Sequence, residues 1–483
     1  MKHYPVVIVG AGPAGLTAAY ELTKAGIKPI VLEKADKVGG ISRTETYKGY
    51  HFDIGGHRFF TKVEEVQQLW QEVLGEEFIK VPRLSRIYYQ DRFFNYPLSL
   101  LNTLSNLGVF ESFLILLSYF KAKWQPCPKE ENLEEWVTNR FGQRLYKTFF
   151  KTYTEKVWGI PCTEIQAEWA AQRIKGLSLK TAIINALLKT NNTKTLIKEF
   201  DYPVLGPGMM WQRFQQAVES KGGEVQLNTG VVRLEREGRQ IKRIITRRDG
   251  KLVSISGEQF VSSMPLNELI KRLDPLPPDD VLEAAQSLKY RDFLIVALIV
   301  NREHLFPDNW IYIHSPEVKV GRIQNFKNWS AAMVPDSSKT CLGMEYFCTK
   351  GDGLWTMSDT ELLDLASREL VNLDLAKAED VEDGFVLRQP KAYPVYDHEY
   401  RQHLEVIRNF LATIENLQTT GRNGMHRYNN QDHSMLTGLL AAKNILGEQH
   451  DLWEVNTERS YHEDFTTEPS KTQNKDSVLA IAK

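Results

Sequence analysis

Three glycines near the amino terminus, Gly10, Gly12 and Gly15, are spaced as GxGxxG between an apolar run and an alanine-rich stretch. In a strand–turn–helix unit the first glycine permits a tight turn, the second lets a pyrophosphate approach the backbone, and the third lets helix and strand pack closely. The start of the helix, at Pro13 and Ala14, would face the phosphates. The pattern predicts a dinucleotide site, and the alternative is a tight turn without a ligand.

An acidic residue follows this glycine pattern at the distance that a ribose contact requires. Glu33 ends a second apolar run, IKPIVLEK, 18 positions after Gly15, so that strand, helix and strand make a βαβ unit. A carboxylate at this place can accept hydrogen bonds from a ribose 2′-hydroxyl, and it disfavours the 2′-phosphate of NADP. Glu33 and its neighbour Lys34 are therefore predicted to bind the dinucleotide.

The string EKADKVGGISRTE identifies the type of dinucleotide through a resemblance. It places Gly39, Gly40 and Arg43 just after the ribose-binding strand. This arrangement resembles the extended FAD fingerprint of the large flavoprotein group that includes amine oxidases, protoporphyrinogen oxidases and UDP-galactopyranose mutases. The glycine pair would let the chain run close along the cofactor, and Arg43 could add charge-assisted bonds to the pyrophosphate. The alternative is an ordinary glycine turn with a surface arginine.

A second glycine pair follows in FDIGGHRFF. Gly55 and Gly56 would let the backbone pass near the isoalloxazine ring, and His57 would lie beside it. The alternative is a histidine that packs at the end of a strand.

Two longer strings resemble a single family within that flavoprotein group. They are YTEKVWGIPCTEIQAEWAAQRI at 153–174 and GRNGMHRYNNQDHSMLTGLLAAKNI at 421–445, and both resemble UDP-galactopyranose mutases. GGHRFF, KVW, AYP and RYNNQDHS stand in the order of the fungal and protozoan branch, and the resemblance covers most of the chain. It implies an isomerase that interconverts UDP-galactopyranose and UDP-galactofuranose, in which reduced FAD forms a sugar adduct at N5 while UDP departs.

The resemblance also implies roles for individual side chains. Arg173 and Arg322 fall where the family places its two diphosphate-binding arginines, and planar guanidinium groups suit that task. Tyr393 and Tyr428 match tyrosines that donate hydrogen bonds to the diphosphate, and Trp158 would pack near the substrate. For each of them a core or solvent-exposed position is the alternative.

Further residues are implied to contact the flavin. His57 matches a histidine that influences protonation at N5. Arg427, Gln431, Asp432 and Ser434 should lie against the cofactor where the last helix begins. Backbone amides at that helix start could stabilise the negative pyrimidine edge of reduced flavin.

Two other functions stay open. One is a net oxidoreductase of the amine oxidase or protoporphyrinogen oxidase type, in which oxidised FAD takes a hydride from a C–N or C–C bond. The other is a flavin-binding protein without turnover. Short motifs do not fix the uridine pocket, so another nucleotide sugar is also open as the small-molecule substrate.

The pattern of apolar runs predicts an α/β fold. A Rossmann-type FAD-binding domain is built from discontinuous segments, with a helical insertion and a second, largely antiparallel sheet. The string RQPKAYPVYD predicts a loop. The expected segments are the FAD-binding domain at 1–90, 205–285 and 391–450, the helical insertion at 91–204, the sheet domain at 286–390 and a tail at 451–483.

Composition limits the partners. With 60 Lys and Arg against 61 Asp and Glu, the net charge of −1 gives no bulk attraction to nucleic acid. The four scattered cysteines lack a metal-binding pattern, so no metal site is expected. The apolar runs at 110–120 and 293–300 are shorter than a transmembrane helix requires. No leader precedes the first strand, so we expect a cytoplasmic protein; the oligomeric state stays open.

Overall fold

Two large sheets, two small two-stranded sheets and a group of helices make up the described part of the fold. The computed structural model describes residues 2–96, 98, 100–167 and 198–457. Its strands are β1 (Lys2–Val9), β2 (Ile30–Leu32), β3 (Thr44–Tyr47), β4 (Tyr50–Asp53), β5 (Phe78–Pro82), β6 (Ser85–Tyr89), β7 (Arg92–Asn95), β8 (Glu199–Pro203), β9 (Glu224–Gln226), β10 (Gly230–Glu237), β11 (Gln240–Arg248), β12 (Lys251–Ser262), β13 (Leu273–Asp274), β14 (Tyr290–Val300), β15 (Trp310–Ile313), β16 (Arg322–Asn325), β17 (Thr340–Cys348), β18 (Val381–Pro394) and β19 (Leu417–Thr419).

The α-helices occur in all parts of the described chain. They are α1 (Pro13–Lys24), α2 (Glu64–Leu74), α3 (Leu100–Leu107), α4 (Val109–Trp124), α5 (Leu133–Phe141), α6 (Gln143–Tyr146), α7 (Thr152–Trp158), α8 (Pro207–Ser220), α9 (Leu266–Lys271), α10 (Asp279–Ser287), α11 (Phe326–Trp329), α12 (Gly353–Thr356), α13 (Asp359–Asn372), α14 (Tyr400–Leu411) and α15 (Gln431–Ile445). Among the described residues, no helix combines the length and the apolar character that crossing a membrane requires.

The first sheet has the strand order β13-β10-β11-β12-β1-β2-β9, with β19 also paired to β12. Strands β12, β1, β2 and β9 run parallel, and β1 is buried on both faces. Val6 and Ile8 of β1 pack with α1, α8 and α15, whereas Val7 and Val9 pack on the opposite face with α9, α10 and α14. Helices therefore cover both faces of the parallel part, as its continuous apolar strands require.

The second sheet has the order β18-β14-β17-β16-β15-β6-β7, and only the β15–β6 pair is parallel. It is largely antiparallel, which confirms the predicted α/β class with a second sheet of this kind. The predicted loop RQPKAYPVYD is wrong in its first part, because β18 continues to Pro394. Pro390 is tolerated there because β18 lies at the edge of the sheet, where the missing N–H leaves no partner unsatisfied.

The helices between the sheets form a core of their own. Ile115, Trp136, Val137 and Tyr146 are buried together there, and a π-helical turn at Lys147–Lys151 leads into α7. This turn and α7 carry aromatic side chains towards the space between the two sheets. The boundary expected at residue 90 falls inside the β6–β7 hairpin, and both of these strands belong to the second sheet.

Candidate active site

One cavity of about 1800 Å³ is lined by the glycine turn after β1, by the helical insertion and by the second sheet. Most of the residues that the sequence singled out contribute to its wall. They are Gly10, Gly12, Pro13, Ala14, Glu33, Lys34, Gly40, Arg43, Gly55, Gly56, His57, Trp158, Arg322, Tyr393, Tyr428, Gln431, Asp432 and Ser434. Arg173 lies outside the described residues.

The glycine turn is shaped by close backbone contacts. Gly10 has φ +99°, and its N–H donates to the carbonyl of Leu32 at 2.8 Å. A Cβ atom on Gly15 would lie 1.9 Å from the carbonyl oxygen of Gly10, so Gly15 serves the packing of α1 on β1 rather than the cavity. A Cβ atom on Gly12 would meet nothing closer than 3.9 Å. Its missing side chain therefore opens the cavity instead of relieving a clash.

Helix α1 begins in this cavity without a side-chain cap. Gly12 is the N-cap residue, no side chain of the described residues accepts from the first turn, and Pro13 occupies the first helical position. The unpaired N–H groups of a helix start carry partial positive charge. An anion such as a phosphate group is the natural partner for them.

Glu33 is held in one orientation by two backbone amides. Its carboxylate accepts from the N–H of Ala11 at 2.8 Å and from that of Ala35 at 2.9 Å. The residue is only 8% exposed, yet it lines the cavity together with Lys34. The fixed carboxylate can accept further hydrogen bonds from hydroxyl groups of a ligand.

The second glycine motif brings an ion pair to the wall. Gly39 and Gly40 both have positive φ, at +104° and +57°, and Gly39 packs against Trp211 behind the wall. Arg43 donates to Glu45 at 2.7 Å and to the carbonyl of Gly40 at 2.8 Å. Its charge is thus already paired with a carboxylate in the protein.

His57 follows the Gly55–Gly56 pair and is neutral. Its Nε2 lies 2.8 Å from the carbonyl oxygen of Ile54. Burial lowers the pKa of His57 to about 4, and the nearby charges of Arg422 and Arg322 act in the same direction. The imidazole therefore adds no positive charge to the cavity near neutral pH.

Three aromatic residues that are far apart in the sequence, Trp158, Tyr393 and Tyr428, meet in the cavity wall. We call this part of the wall the aromatic end, or aromatic wall, of the cavity. The rings of Tyr393 and Tyr428 stack with centroids 5.7 Å apart and an interplanar angle of 21°. Trp158, at the end of α7, lies 6.4 Å from the first ring and 6.1 Å from the second. Burial raises the pKa of Tyr393, so its phenol keeps its proton and can donate it in a hydrogen bond.

Arg322 lies at the same end, in a buried ion pair. It faces Glu345 across the β16–β17 pair and donates from Nε to that carboxylate. Glu345 is fully buried, and it also accepts from Gln324 at 2.9 Å. Burial alone would lower the pKa of Arg322, but the carboxylate of Glu345 raises it well above its ordinary value. Arg322 is therefore charged, and its charge is matched inside the protein.

Arg422 is a cavity residue that sequence reasoning missed. Its guanidinium donates to the carbonyls of Asn429 at 2.8 Å and Ala392 at 3.0 Å. It stands over the rings of Tyr428 and Tyr393, 4.7 and 5.5 Å from their centroids. Among the described residues no carboxylate pairs with it. The signal was present in the string GRNGMHRY, where Arg422 follows the first glycine.

Another aromatic group in the wall was also missed. Tyr153 stacks on His314, with centroids 4.7 Å apart and an interplanar angle of 7°, and Tyr312 meets Tyr153 edge to face. Burial lowers the pKa of His314 to about 3, so this residue is neutral too. The alternating sequence NWIYIHS predicted a strand, but it did not indicate what its side chains do.

The start of α15 closes the wall between the two ends. Gln431 donates to the carbonyl of His57 at 3.2 Å and accepts from Ser42 at 2.6 Å. Arg427 was expected to lie against the cofactor, and this expectation is corrected, because Arg427 does not line this cavity. Its guanidinium donates to the carbonyls of Trp453 at 2.5 Å and Val455 at 2.6 Å, in the wall of a separate cavity.

Comparison with known protein families identifies the family of this chain. A family model described as flavin containing amine oxidoreductase matches residues 13–446, nearly the whole described chain. The chain belongs to this family. The match confirms the expected flavoprotein of the amine oxidase superfamily, and membership implies a flavin cofactor.

Curated relatives match only in part. The chain is 34% identical over 119 residues to a protein of Dictyostelium discoideum named "Probable flavin-containing monoamine oxidase A", which is 23% of this chain and 25% of that protein. It is 48% identical over 67 residues to L-amino acid oxidase Cdc18 of Crotalus durissus cumanensis, which is 14% of this chain and 13% of that protein. The matched segments thus span a quarter or less of these relatives.

Solved structures are similar over nearly the whole length. A reduced UDP-galactopyranose mutase superposes with a TM-score of 0.82 at 21% identity, covering 95% of this chain and 99% of that one. A putrescine oxidase variant superposes with a TM-score of 0.62 at 18% identity, covering 93% of this chain and 100% of that one. These likenesses show that the chain shares the fold of these proteins.

Proposed function

We propose that this flavoenzyme is an FAD-dependent isomerase of the UDP-galactopyranose mutase type that acts on a nucleotide sugar. The observation that carries the proposal is the wall opposite the glycine turn. There Trp158, Tyr393 and Tyr428 meet Arg322 and Arg422 in the same cavity. Phenol donors and guanidinium groups around one space suit the diphosphate of a nucleotide sugar.

The opposite end of the cavity fits the dinucleotide part of FAD. The uncapped start of α1 at Gly12 would hold the pyrophosphate, and Glu33 would accept from the ribose. Gly55 and His57 line the same cavity, with Gly55 next to the guanidinium of Arg322, and the flavin ring would be held beside them. When bound and reduced, FAD would supply the electron pair that attacks the anomeric carbon of the sugar.

The residues of the aromatic wall would hold the diphosphate as it leaves the sugar and returns to it. Arg422 contributes a positive charge that no carboxylate of the described residues matches, because its guanidinium donates to carbonyl oxygens there. Arg322 would orient the diphosphate through hydrogen bonds more than attract it through net charge, since Glu345 neutralises the charge of Arg322. Tyr393 and Tyr428 would donate from their phenols, so negative charge that develops on the departing diphosphate is stabilised.

His57 and Gln431 would position the flavin side of the reaction. His57 is neutral, and its backbone carbonyl is fixed by the side-chain amide of Gln431. Ser42 in turn donates to that amide. A neutral imidazole can donate a hydrogen bond from one ring nitrogen and accept one at the other without adding a charge to the cavity.

A net oxidoreductase is the second candidate. It is favoured by the family match over residues 13–446 and by the oxidases among the curated relatives. In that case the aromatic wall would bind an amine or another reduced substrate, and the flavin would change its oxidation state in each turnover.

The two candidates separate in one anaerobic experiment. Flavin-loaded protein, reduced with dithionite, is mixed with UDP-galactofuranose, and the products are resolved by chromatography while the flavin spectrum is followed. We expect UDP-galactopyranose to form while the flavin stays reduced, and oxidised protein to be inactive. Absence of isomerisation, combined with bleaching of the oxidised flavin by an amine, would replace the mutase proposal with the oxidase one.

A pair of matched variants ties the activity to the wall. Tyr428→Phe removes a phenol in the cavity, whereas Tyr47→Phe removes one that contacts Asp383 on β18 at 3.3 Å. We expect isomerisation to fall at least tenfold in the first variant and to stay unchanged in the second, in line with the loss of one hydrogen bond to a charged group. Equal activities would remove Tyr428 from the site.

A further inference from the structure

A second cavity, of about 890 Å³, shares Tyr428, His450, Asp451 and Asn456 with the wall of the first. It is bounded by α14 through Arg408, by the segment after His426, and by Trp453. The backbone N–H of Tyr428 donates to the hydroxyl of Tyr396 in this wall at 2.6 Å. Its size is that of a cavity for a small ligand.

Two arginines share one aromatic ring in this cavity. Arg408 lies 4.5 Å and Arg427 lies 5.8 Å from the centre of the Trp453 ring. Arg427 makes its hydrogen bonds through Nη1 to two carbonyl oxygens. In the part of the chain that the structure describes, neither arginine forms an ion pair with a carboxylate. Two like charges near one ring repel each other, so an anion between them would be stabilised.

A buried histidine in the same wall has an unused ring nitrogen. His426 is 1% exposed, and its Nε2 lies 3.4 Å from the carbonyl of Val395. Its Nδ1 has no hydrogen-bond partner among the described residues. Burial lowers the pKa of His426 to about 4, so the ring is neutral and one nitrogen is an acceptor. Buried polar atoms are rarely left without a partner, so this one indicates a ligand group or an ordered water.

We propose that the second cavity binds a phosphorylated small molecule of nucleotide size. Arg408 and Arg427 hold its phosphate beside Trp453, and His426 faces a polar group of the rest of the molecule. Guanidinium groups bind phosphate through charge-assisted hydrogen bonds. The proposal is independent of the reaction in the first cavity, because none of these four side chains lines that cavity.

Calorimetric titration of the flavin-loaded, full-length protein tests the site. The probes are inorganic phosphate, AMP and, as the uncharged counterpart, adenosine. We expect phosphate and AMP to bind and adenosine to bind at least tenfold more weakly than AMP. Loading with flavin beforehand fills the dinucleotide end of the first cavity. An excess of UDP should leave the affinity for AMP unchanged.

The matched variants are Arg408→Ala and Arg368→Ala. Arg408 lies on α14 in the cavity, whereas Arg368 is an exposed arginine of α13 that pairs with Asp364. We expect AMP to bind about tenfold more weakly to the first variant, as for the loss of a charged hydrogen bond, and normally to the second. Within the described ranges, the side chain of Arg408 makes no hydrogen bond that would hold the fold, and retained flavin absorbance confirms that the variant is folded.

Several results would overturn the proposal. One is the absence of heat with both phosphate and AMP, and another is unchanged affinity in Arg408→Ala. Displacement of AMP by UDP would place the nucleotide in the first cavity instead. Binding that appears only after deletion of residues 458–483 would show that a segment of this chain, and not a small phosphate, fills the space.

Discussion

The two ends of the first cavity are built in different ways. At the glycine end, the binding groups depend on the backbone: the N–H groups at the start of α1 are free for a ligand, and two amides orient the Glu33 carboxylate. At the aromatic end, side chains provide them, and these come from the insertion, the second sheet and the segment before α15. The first end depends on local chain geometry, and the second depends on tertiary packing that brings distant residues together.

The two ends also carry charge differently. The glycine end offers partial charges of a helix start, which cost little to bury. At the aromatic end, the charge of Arg322 is matched by a buried carboxylate, whereas in the described part of the chain no carboxylate pairs with Arg422. Substitutions at the glycine end should therefore act through steric clash, and those at the aromatic end through charge.

Loss of the carboxylate from the buried ion pair should have the largest effect. Glu345→Gln leaves the charge of Arg322 buried without a counter-charge, and breaking such a pair costs about 3 to 5 kcal/mol of the free energy of unfolding. Urea denaturation measures this. The control is Glu258→Gln, an exposed carboxylate 3.5 Å from His3, for which we expect a change below about 1 kcal/mol. Similar losses in both variants would show that the buried pair does not matter to stability.

Addition of a methyl group at Gly15 should have the second-largest effect on the free energy of unfolding. Gly15→Ala would place Cβ 1.9 Å from the carbonyl oxygen of Gly10, so the backbone of the turn must shift. Overpacking of this kind costs about 1 to 3 kcal/mol, and we expect flavin to be lost with it. In Gly12→Ala the methyl group meets nothing within 3.9 Å, so stability without flavin should stay nearly unchanged while flavin affinity falls. If both variants unfold at the same urea concentration, the two glycines do not have separate roles.

Removal of the unmatched cation should weaken ligand binding while the fold is retained. Arg422→Gln takes a charge from the aromatic end, and we expect the affinity for UDP to fall about tenfold or more, the effect of a charged hydrogen bond of about 1.5 to 3 kcal/mol. Arg236→Gln is the matched control, because Arg236 also bonds to backbone carbonyls and lies 5.6 Å from the Phe410 ring, away from this wall. Fluorescence titration distinguishes the two. Equal affinities would show that Arg422 does not contact the ligand.

The pH dependence of stability should show the smallest effect. The pKa of His57 is about 4 in the folded state against 6.5 for an ordinary histidine. Between these two pH values His57 is protonated in the unfolded chain but not in the folded chain. The free energy of unfolding therefore falls as the pH falls from about 6.5 to about 4. His51, His314 and His426 act in the same direction, so His57→Gln should make the slope less steep without abolishing it. An unchanged slope would mean that His57 titrates normally.

The sequence predicted the glycine end better than the aromatic end for a physical reason. Gly10, Gly12 and Glu33 lie within one βαβ unit, so their spacing alone predicts their geometry. Trp158, Tyr393 and Tyr428 could be singled out only through a family resemblance, because packing and not spacing brings them together. Glu345 lies in the apolar strand text CLGMEYFC, and nothing local marks it as the partner of Arg322.

Neighbouring residues could also not be told apart from the sequence. Arg427 and Tyr428 are adjacent, yet the guanidinium of Arg427 bonds to carbonyls in the second cavity while the ring of Tyr428 stacks in the first. Two prolines in RQPKAYPVYD indicated a loop, but the edge position of β18 allows a strand there. Both differences arise from tertiary contacts that no local pattern records.

Titration of the flavin-loaded protein with UDP, followed by the flavin absorption spectrum, tests most directly whether one cavity holds a flavin at one end and a diphosphate at the other. We predict a saturable spectral change with one UDP bound per flavin, and a weaker response in Arg422→Gln. This assignment of the aromatic end would be contradicted if the protein retains its flavin, UDP causes no spectral change, and an amine bleaches the flavin anaerobically.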